Sequence, residues 1–560
     1  MRRWNGWGDD HTEAHLPEAT RRLLEDAVGA ARPTPPDVSL AQVCAAVPPT
    51  RLPGHPLVAT DAETRVRHAR GQSLPDLIAL RSGRGLVFPD GVARPRSAAE
   101  VQALLDLADA RATTLIPYGG GTSVVGHVNP QPGDRPVLTV SLARLAALSA
   151  FDPDSRLATF GPGATGPEVE ARLGALGYTL GHFPQSFEYS TVGGWIATRS
   201  SGQQSLGYGR IEQLFAGGTL LTPRGPLRVD PVPASAAGPD LRHLVLGSEG
   251  RLGIVIEAIL RVAPRPEVEH FHVVFFRDWQ GALGAARALA QSGLPLSMVR
   301  VSTPAETATN LALAGGGREV RVLEALLRWR RAGEGRCMAV LGFGGERRQV
   351  ARTRAAALAV ARREGGVGTG AGAALGSRWR RGRFRAPYLR DTLWTRGYAV
   401  DTVETATTWR RVPRTLAAVE GALHEALHDE GERVHVFTHL SHVYPTGASV
   451  YTTFVFRVAA DADATLARWR RLKEAASLAI VGERATISHQ HGVGTDHAPY
   501  LAAEKGALGV RALARLVGEF DGRGLLNPGK LLGEVDGAAG PEAFARGGVP
   551  AAASAPNVPA

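Results

Sequence analysis

Three segments of this chain give up ordinary side chains for bare backbone and small hydroxyls, a pattern whose chemistry is the cradling of phosphate. The first runs Pro117, Tyr118, Gly119, Gly120, Gly121, Thr122, Ser123 and on to Gly126. Its three consecutive glycines allow positive φ and close backbone approach, and two hydroxyls follow beside a row of free N–H groups. The second places Ser190, Thr191, Gly193, Gly194, Thr198 and Ser201 within a dozen residues, and the third sets Gly247, Gly250 and Gly253 around Glu249 just before a β-branched run. Taken singly, each fits a glycine hairpin turn, a bulge or a helix cap equally well. Together they suggest one extended nucleotide lying across a domain.

A second group carries ionisable side chains. Tyr451 lies in the pattern ASVYTTFVF. A strand there puts Val450, Thr452, Phe454 and Phe456 on one face and Tyr451, Thr453 and Val455 on the other. A core tyrosine is the plain reading; the functional one is a general acid/base, because a phenol near a cation or an oxidised ring system loses its proton more easily. His489 and His491 flank Gln490 and share one side if the segment is extended. No third ligand falls nearby, so the spacing gives no metal site, and hydrogen-bonded histidines are the plain alternative. Arg300 in SMVRVS and Arg390 in PYLRD each sit in an apolar frame, where a charge needs a partner. That partner is a carboxylate, with Asp391 and Glu404 as candidates, or a phosphate matched to the guanidinium fork. Arg378, Arg380, Arg381, Arg383 and Arg385 fall in a loop-rich stretch from Gly376 to Asp391. It reads as a solvated loop or as a mobile basic lid near an anionic substrate or lipid surface.

The elements that must hold these residues follow from periodicity. Residues 1–81 carry helical patterning after a start containing Trp4 and Trp7, and predict an N-terminal helical arm. Residues 82–263 alternate short strands with helices. One helix opens at Ser97 with Glu100 three residues on, and a strand, TTLIPY, leads into the first glycine loop. Residues 264–480 alternate strands with long helices and predict a second α+β domain. Residues 481–533 return to small motifs, and 534–560, rich in Ala, Gly and Pro, are expected to be disordered. The fold class expected is α+β.

Composition narrows the partners. The 560 residues have a formal net charge of +11. Lys473, Lys505 and Lys530 are the only lysines, so the excess is arginine scattered among acids and not one basic face. With aromatics at 6% this argues against nucleic acid. Cys44 and Cys337 give no disulfide framework, so a reducing cytoplasm is the expected location. No export signal and no apolar run of about 18 residues is present, which leaves a peripheral contact at the inner membrane surface open.

PYGGGTSVVG, FPQSFEYSTVGGWIATRSSG with YGRIEQL, GSEGRLGIVIEA and the late LLNPGKLL resemble the PCMH-type FAD-binding domain of the vanillyl-alcohol-oxidase superfamily. Within it, RRWNGWGDD, PYLRDTLW, ETATTWRR and SHVYPTGASVYTTFVF followed by SHQHGVG are similar to the alkyldihydroxyacetonephosphate synthase family, from about residue 2 to 533. The resemblance implies a two-subdomain FAD-binding domain, an α+β cap with an antiparallel sheet and the N-terminal helical arm. It implies FAD contacts at Pro117 through Ser123, at Gln185, Ser186, Phe187, Glu188, Tyr189, Ser190 and Thr191, at Thr198, Arg199, Ser200 and Ser201, and at Glu249, Gly250, Arg251, Leu252, Gly253, Ile254 and Val255. FAD is expected to be non-covalent, because the first glycine loop contains no histidine or cysteine.

By the same resemblance the substrate is a small lipid phosphate. The acyl chain of acyl-dihydroxyacetone phosphate is exchanged for a fatty alcohol through a flavin N5 adduct, without net redox, in ether lipid synthesis. Arg390 grips phosphate, Arg300 is needed for activity, Tyr451 moves the substrate proton, and His489 and His491 polarise the reacting oxygens. The family carries three histidines where this chain has Gln490 in the middle, and an amide there can still donate to a phosphate or carbonyl. A homodimer is left open. The rival expectation is an FAD-linked dehydrogenase or oxidase of a 2-hydroxy acid or glycerol phosphate, using the same cradle with an imidazole as base.

Overall fold

The computed structural model describes residues 2–10, 12, 15–315 and 317–533; the expected disordered tail lies outside them. The architecture is α+β, built on three main sheets. The first has the order Val58–Ala59, Gly91–Ala93, Val137–Ser141, Thr114–Tyr118, with the last three parallel. The helix Ala98–Arg111, capped as expected by Ser97, connects two of them and buries Val101, Leu104, Leu105 and Ala108 on the sheet. Thr114–Tyr118 ends this sheet but is largely buried, its outer side meeting Leu526 in an isolated bridge, and the glycine loop leaves its carboxyl end, where open α/β sheets bind ligands.

The second sheet is antiparallel, in the order Leu148–Asp152, Leu157–Phe160, Ile254–Arg261, Phe215–Thr222, Gly225–Val229. Its core takes in Phe160, Phe215, Leu260 and Trp195, which is carried by the short helix Val192–Thr198. Residues Gly247 to Gly253 form the turn entering Ile254–Arg261.

The third sheet has eight strands, all antiparallel, running Gly366–Val367, Val268–Phe276, Cys337–Gly345, Leu296–Ser302, His435–Leu440, Gly447–Arg457, Tyr398–Thr408, with Val443–Tyr444 paired to Gly447–Arg457. Alternation along Val268–Phe276 sends Val274 and Phe276 to helices Trp279–Gln291 and Arg347–Arg363. Phe271, Val273 and Phe275 go to the opposite face, under Arg318–Trp329 and Gly372–Gly382.

Two local expectations are corrected. The arginine-rich stretch is not a loop but the helices Gly372–Gly382 and Ala386–Thr395. Gly376 is there because a Cβ would collide with the Phe271 carbonyl of the strand beneath, and Pro387 sits in the first turn of the second helix, where its missing N–H costs nothing. In the C-terminal stretch, residues Leu501–Phe520 form a long helix kinked at Gly506.

Candidate active site

The three glycine segments meet around one cavity. Its wall includes Pro117 through Ser123, Ser186, Ser190, Thr191, Thr198, Ser200, Glu249, Gly250, Gly253 and Val255, and it is closed by Gln490, His491 and Asn527. The segments interlock through missing side chains. A Cβ on Gly120 would overlap the Tyr189 carbonyl, and one on Gly250 would meet the Pro117 ring at 3.0 Å. Thr191 caps the helix Val192–Thr198, its Oγ1 accepting from the Gly194 N–H at 3.4 Å, so that helix points its N-terminus toward the first loop. Backbone donors, hydroxyls and a helix N-terminus around a shaped slot fit the pyrophosphate of a dinucleotide.

Beneath this wall a buried carboxylate ties the C-terminal loop to the cradle. Glu249 accepts the N–H groups of Val493 at 2.5 Å and Gly494 at 2.9 Å, and lies 3.1 Å from His127 Nε2. These partners outweigh burial and hold its pKa below the ordinary glutamate range. His127 in turn contacts Ser123 Oγ through Nδ1 at 2.8 Å. Gly492, at φ +85, is needed because a side chain there would meet His127 and Glu249.

The ionisable residues lie in a row across the third sheet. On its strand Tyr451 sits opposite His439 on one side and Glu404 on the other. Cross-strand neighbours on one face touch, and here the His439 ring stacks on Tyr451 with centroids 4.9 Å apart at 24°. On the next strand Arg300 donates to Glu306 at 2.7 Å and approaches His439 Nδ1 at 3.2 Å, while His439 Nδ1 is 2.8 Å from the same carboxylate. His439 and the Arg300 guanidinium take the Glu306 pKa to about 2 against the effect of burial.

Tyr451 donates to Thr402 Oγ1 at 3.3 Å, and desolvation of its half-buried side chain pushes its pKa up to about 12. This corrects the expectation of an easily ionised phenol: desolvation outweighs the influence of Arg300.

The segment His489-Gln490-His491 is not extended. It bends around Glu404, whose carboxylate accepts the backbone N–H of His489 at 2.8 Å, of Gln490 at 3.0 Å and of His491 at 2.9 Å, plus Ser488 Oγ at 2.8 Å. The histidines consequently diverge. His491 lines the cavity and presents its ring at 83° to Tyr451, with centroids 5.8 Å apart. His489 turns away, its Nε2 2.6 Å from both Arg210 Nη1 and Tyr444 Oη, with Arg210 Nη2 on its carbonyl at 2.8 Å. Burial and the Arg210 charge lower the His489 pKa well below its usual value, so the ring is a neutral acceptor.

The expected carboxylate partners of the two arginines are also corrected. Glu404 serves the backbone N–H groups, and Arg300 uses Glu306. Asp391 pairs with Arg81 and Arg3 and accepts the Trp7 N–H at 3.0 Å. Arg390 donates Nη1 to the Gln72 carbonyl, whose own N–H donates to Ser123 O at 2.6 Å, while Arg390 Nε and Nη2 are buried without a partner. The N-terminal residues reach the same place. Arg2 donates to Gly120 O at 2.5 Å and lies over the Tyr189 ring, and Trp7 meets Tyr189 edge-on at 5.1 Å.

The other expected cofactor residues stand behind the cavity wall. Leu252 and Ile254 are in hydrophobic cores, and Arg251 is buried and donates to Leu526 O at 2.8 Å. Gln185 donates to Arg383 O at 2.9 Å, Glu188 accepts from Tyr388 Oη at 2.9 Å, and Phe187 stacks on Phe384. Arg199 lies within 4.0 Å of Glu212, and Ser201 Oγ bonds Ser205. Sequence reasoning did not single out Arg210, His127, Glu306, His439 or Tyr444. Arg210 and Tyr444 were inside quoted motifs, YGRIEQL and SHVYPTG, but spacing gave no reason to pick them.

The comparisons with known proteins agree with this geometry. Residues 89–229 match the model of an FAD binding domain, and residues 265–531 that of FAD linked oxidases, C-terminal domain. The alkyldihydroxyacetonephosphate synthase of Dictyostelium discoideum is 31% identical over 482 residues, 84% of this chain and 78% of the relative. That of Trypanosoma brucei brucei is 27% identical over 95% of this chain and 92% of its own length. A solved alkyldihydroxyacetonephosphate synthase structure superposes with a TM-score of 0.81 at 27% identity, covering 95% of this chain and 99% of that one. FAD is the cofactor the cradle takes, and the chain belongs to the alkyldihydroxyacetonephosphate synthase family.

Proposed function

We propose that this chain replaces the acyl chain of acyl-dihydroxyacetone phosphate with a long-chain alcohol, releasing the fatty acid and leaving an alkyl ether. The observation that supports it most is Arg390. It is anchored to Gln72 beside the FAD cavity with Nε and Nη2 still unpartnered, and two such donors on one guanidinium suit a phosphate. The three glycine segments would hold FAD non-covalently, and the bound flavin would supply an electrophilic ring that activates the substrate carbon at which the carbon–oxygen bond is exchanged. His127 does not offer a ring nitrogen for attachment, since both face Ser123 and Glu249.

The remaining roles belong to side chains. Tyr451, protonated at rest because desolvation disfavours the phenolate, donates the proton that the reacting carbon regains. Arg300 and Glu306 fix His439 against the phenol ring, and so hold its orientation. Gln490 and His491, on the cavity wall, offer hydrogen bonds to the reacting oxygens, and Glu404 locks the loop that carries them. His489 acts from behind, through Arg210 and Tyr444.

The test is incubation of the FAD-loaded protein with palmitoyl-dihydroxyacetone phosphate and hexadecanol in the absence of an electron acceptor. Mass spectrometry should find the hexadecyl ether phosphate, with the flavin oxidised at the end. Arg390→Met should raise KM for the phosphate substrate. Absence of ether, with anaerobic bleaching by a 2-hydroxy acid or glycerol phosphate, would overturn this reading in favour of a dehydrogenase.

A further inference from the structure

The FAD cradle holds a charge that its chemistry does not call for. A pyrophosphate is an anion, yet among the described residues that wall the cavity there is no lysine or arginine, and there is the buried carboxylate of Glu249. That carboxylate is ionised, since it accepts the N–H groups of Val493 and Gly494 and its pKa is held low. An anion in the wall of an anion site repels the ligand unless a cation stands beside it. The wall side chain placed to become that cation is His127, 6% exposed, which lies between Glu249 and Ser123 of the first glycine loop.

The contacts around His127 fix where its hydrogens are. Nε2 faces Glu249 Oε1 at 3.1 Å, and a nitrogen lone pair aimed at an ionised carboxylate would be repelled, so Nε2 carries a hydrogen. Nδ1 lies 2.8 Å from Ser123 Oγ. That oxygen also accepts the backbone N–H of His127 at 3.1 Å and, at the longer distance of 3.4 Å, that of Val125. With both lone pairs engaged, the Ser123 hydroxyl hydrogen has Nδ1 as its acceptor, and the ring is neutral. In this arrangement the hydroxyl is spent inside the wall. A phosphate oxygen in the cavity is a charged and therefore stronger acceptor. Once the hydroxyl turns to it, Nδ1 can keep its contact with Ser123 Oγ only by carrying a proton of its own, and the long Val125 contact is the one that yields.

The surroundings hold the ring in place for this exchange. Asn527 Nδ2 donates to the carbonyls of both His127, at 3.1 Å, and Glu249, at 2.8 Å, so a third segment of the chain sets their spacing. Two titratable side chains face the imidazole. Glu249, from the turn before Ile254–Arg261, favours the charged ring, and His491, from the C-terminal segment, is itself kept from charging by burial. A proton gained on Nδ1 therefore arrives beside a carboxylate that is already in position to balance it.

We propose that binding of FAD is coupled to the uptake of one proton by His127: Nδ1 takes a proton from water, the Ser123 hydroxyl turns from Nδ1 to a phosphate oxygen, and the imidazolium neutralises Glu249. The inference rests on the cofactor and not on the choice of substrate, so an assay for ether synthesis does not decide it. Full-length protein, freed of flavin at high salt, is titrated with FAD by calorimetry at pH 8 in buffers of different ionisation enthalpy, and FAD affinity is followed by flavin fluorescence as the pH is raised. The complex holds one proton more than the free protein, so about one proton should be taken up per FAD and affinity should fall with rising pH, by about tenfold per unit at the steepest. His127→Gln and His127→Asn, which cannot charge, should bind FAD about tenfold more weakly at neutral pH, with little proton uptake and a nearly flat pH dependence. An unchanged circular dichroism spectrum reports their folding, and the wild-type titration decides the matter even where a variant fails to fold. Wild-type binding without proton uptake would overturn the proposal. So would variants that bind weakly but take up the proton as the wild type does, because His127 would then be packing alone.

Discussion

The two walls of the site are made of different materials. The FAD cradle, residues 117–255, works mainly through what is absent: glycines that let backbone approach backbone and N–H groups stand free. The cap wall works through side chains, a row of Arg300, His439, Tyr451 and Glu404 running across four strands with Glu306 and the 489–491 loop at its ends. The first holds a cofactor by shape, and damage to it should remove FAD. The second positions reacting groups, and damage to it should leave FAD in place while turnover fails.

Substitutions can break or sharpen that contrast. Gly120→Ala puts a methyl into the Tyr189 carbonyl. A clash costing about 3 kcal/mol weakens FAD binding about a hundredfold. The purified protein should be nearly colourless, and its residual activity should rise with added FAD. Glu404→Gln removes the buried charge on which three backbone N–H groups and Ser488 converge. The expected fall in kcat is about a hundredfold, through misplacement of His491 and Gln490, with the flavin absorbance retained. A smaller loss, about tenfold in kcat with KM little changed, is expected for Glu306→Gln, and Glu306→Asp should recover part of it.

The histidines of the cap side give a pH dependence. Burial lowers the pKa of His442 to about 3 and of His435 and His497 to about 4, and His489 is shifted the same way. The unfolded chain takes up these protons near pH 6.5, whereas the folded chain resists them. Stability from this source is therefore complete above pH 6.5 and is lost as the pH falls from there toward 4. Calorimetry should show Tm dropping by on the order of 5 °C or more between pH 7 and pH 5.

The contrast also governs what the sequence reveals. Consecutive glycines beside hydroxyls are a costly choice for a chain, so Gly119–Gly121 and Gly193–Gly194 announce close approach in one dimension. Tyr451 was legible as well, because strand alternation separates it from Val450 and Phe454. Which residues lie beside it was not, since His439 and Glu404 reach it only through the register of neighbouring strands, and nothing in their spacing encodes that register. His489 and His491 share a side only if their segment is extended, and the spacing does not decide that; Glu404, buried beneath it, bends the backbone and sends the rings apart. The arginine-rich helices were hidden by Gly376 and Pro387, residues that usually mark loops but serve here as a close-packing contact and a helix start.

The most direct measurement is turnover per bound flavin in Tyr451→Phe. That substitution removes one hydroxyl from the cap row and leaves the cradle, the His439 stack and Arg390 in place. FAD content equal to wild type, with ether formation reduced about a thousandfold or more per flavin, is the predicted result. Ether formation at a near-normal rate would contradict the account, because the row across the third sheet would then be packing and the chemistry would lie elsewhere.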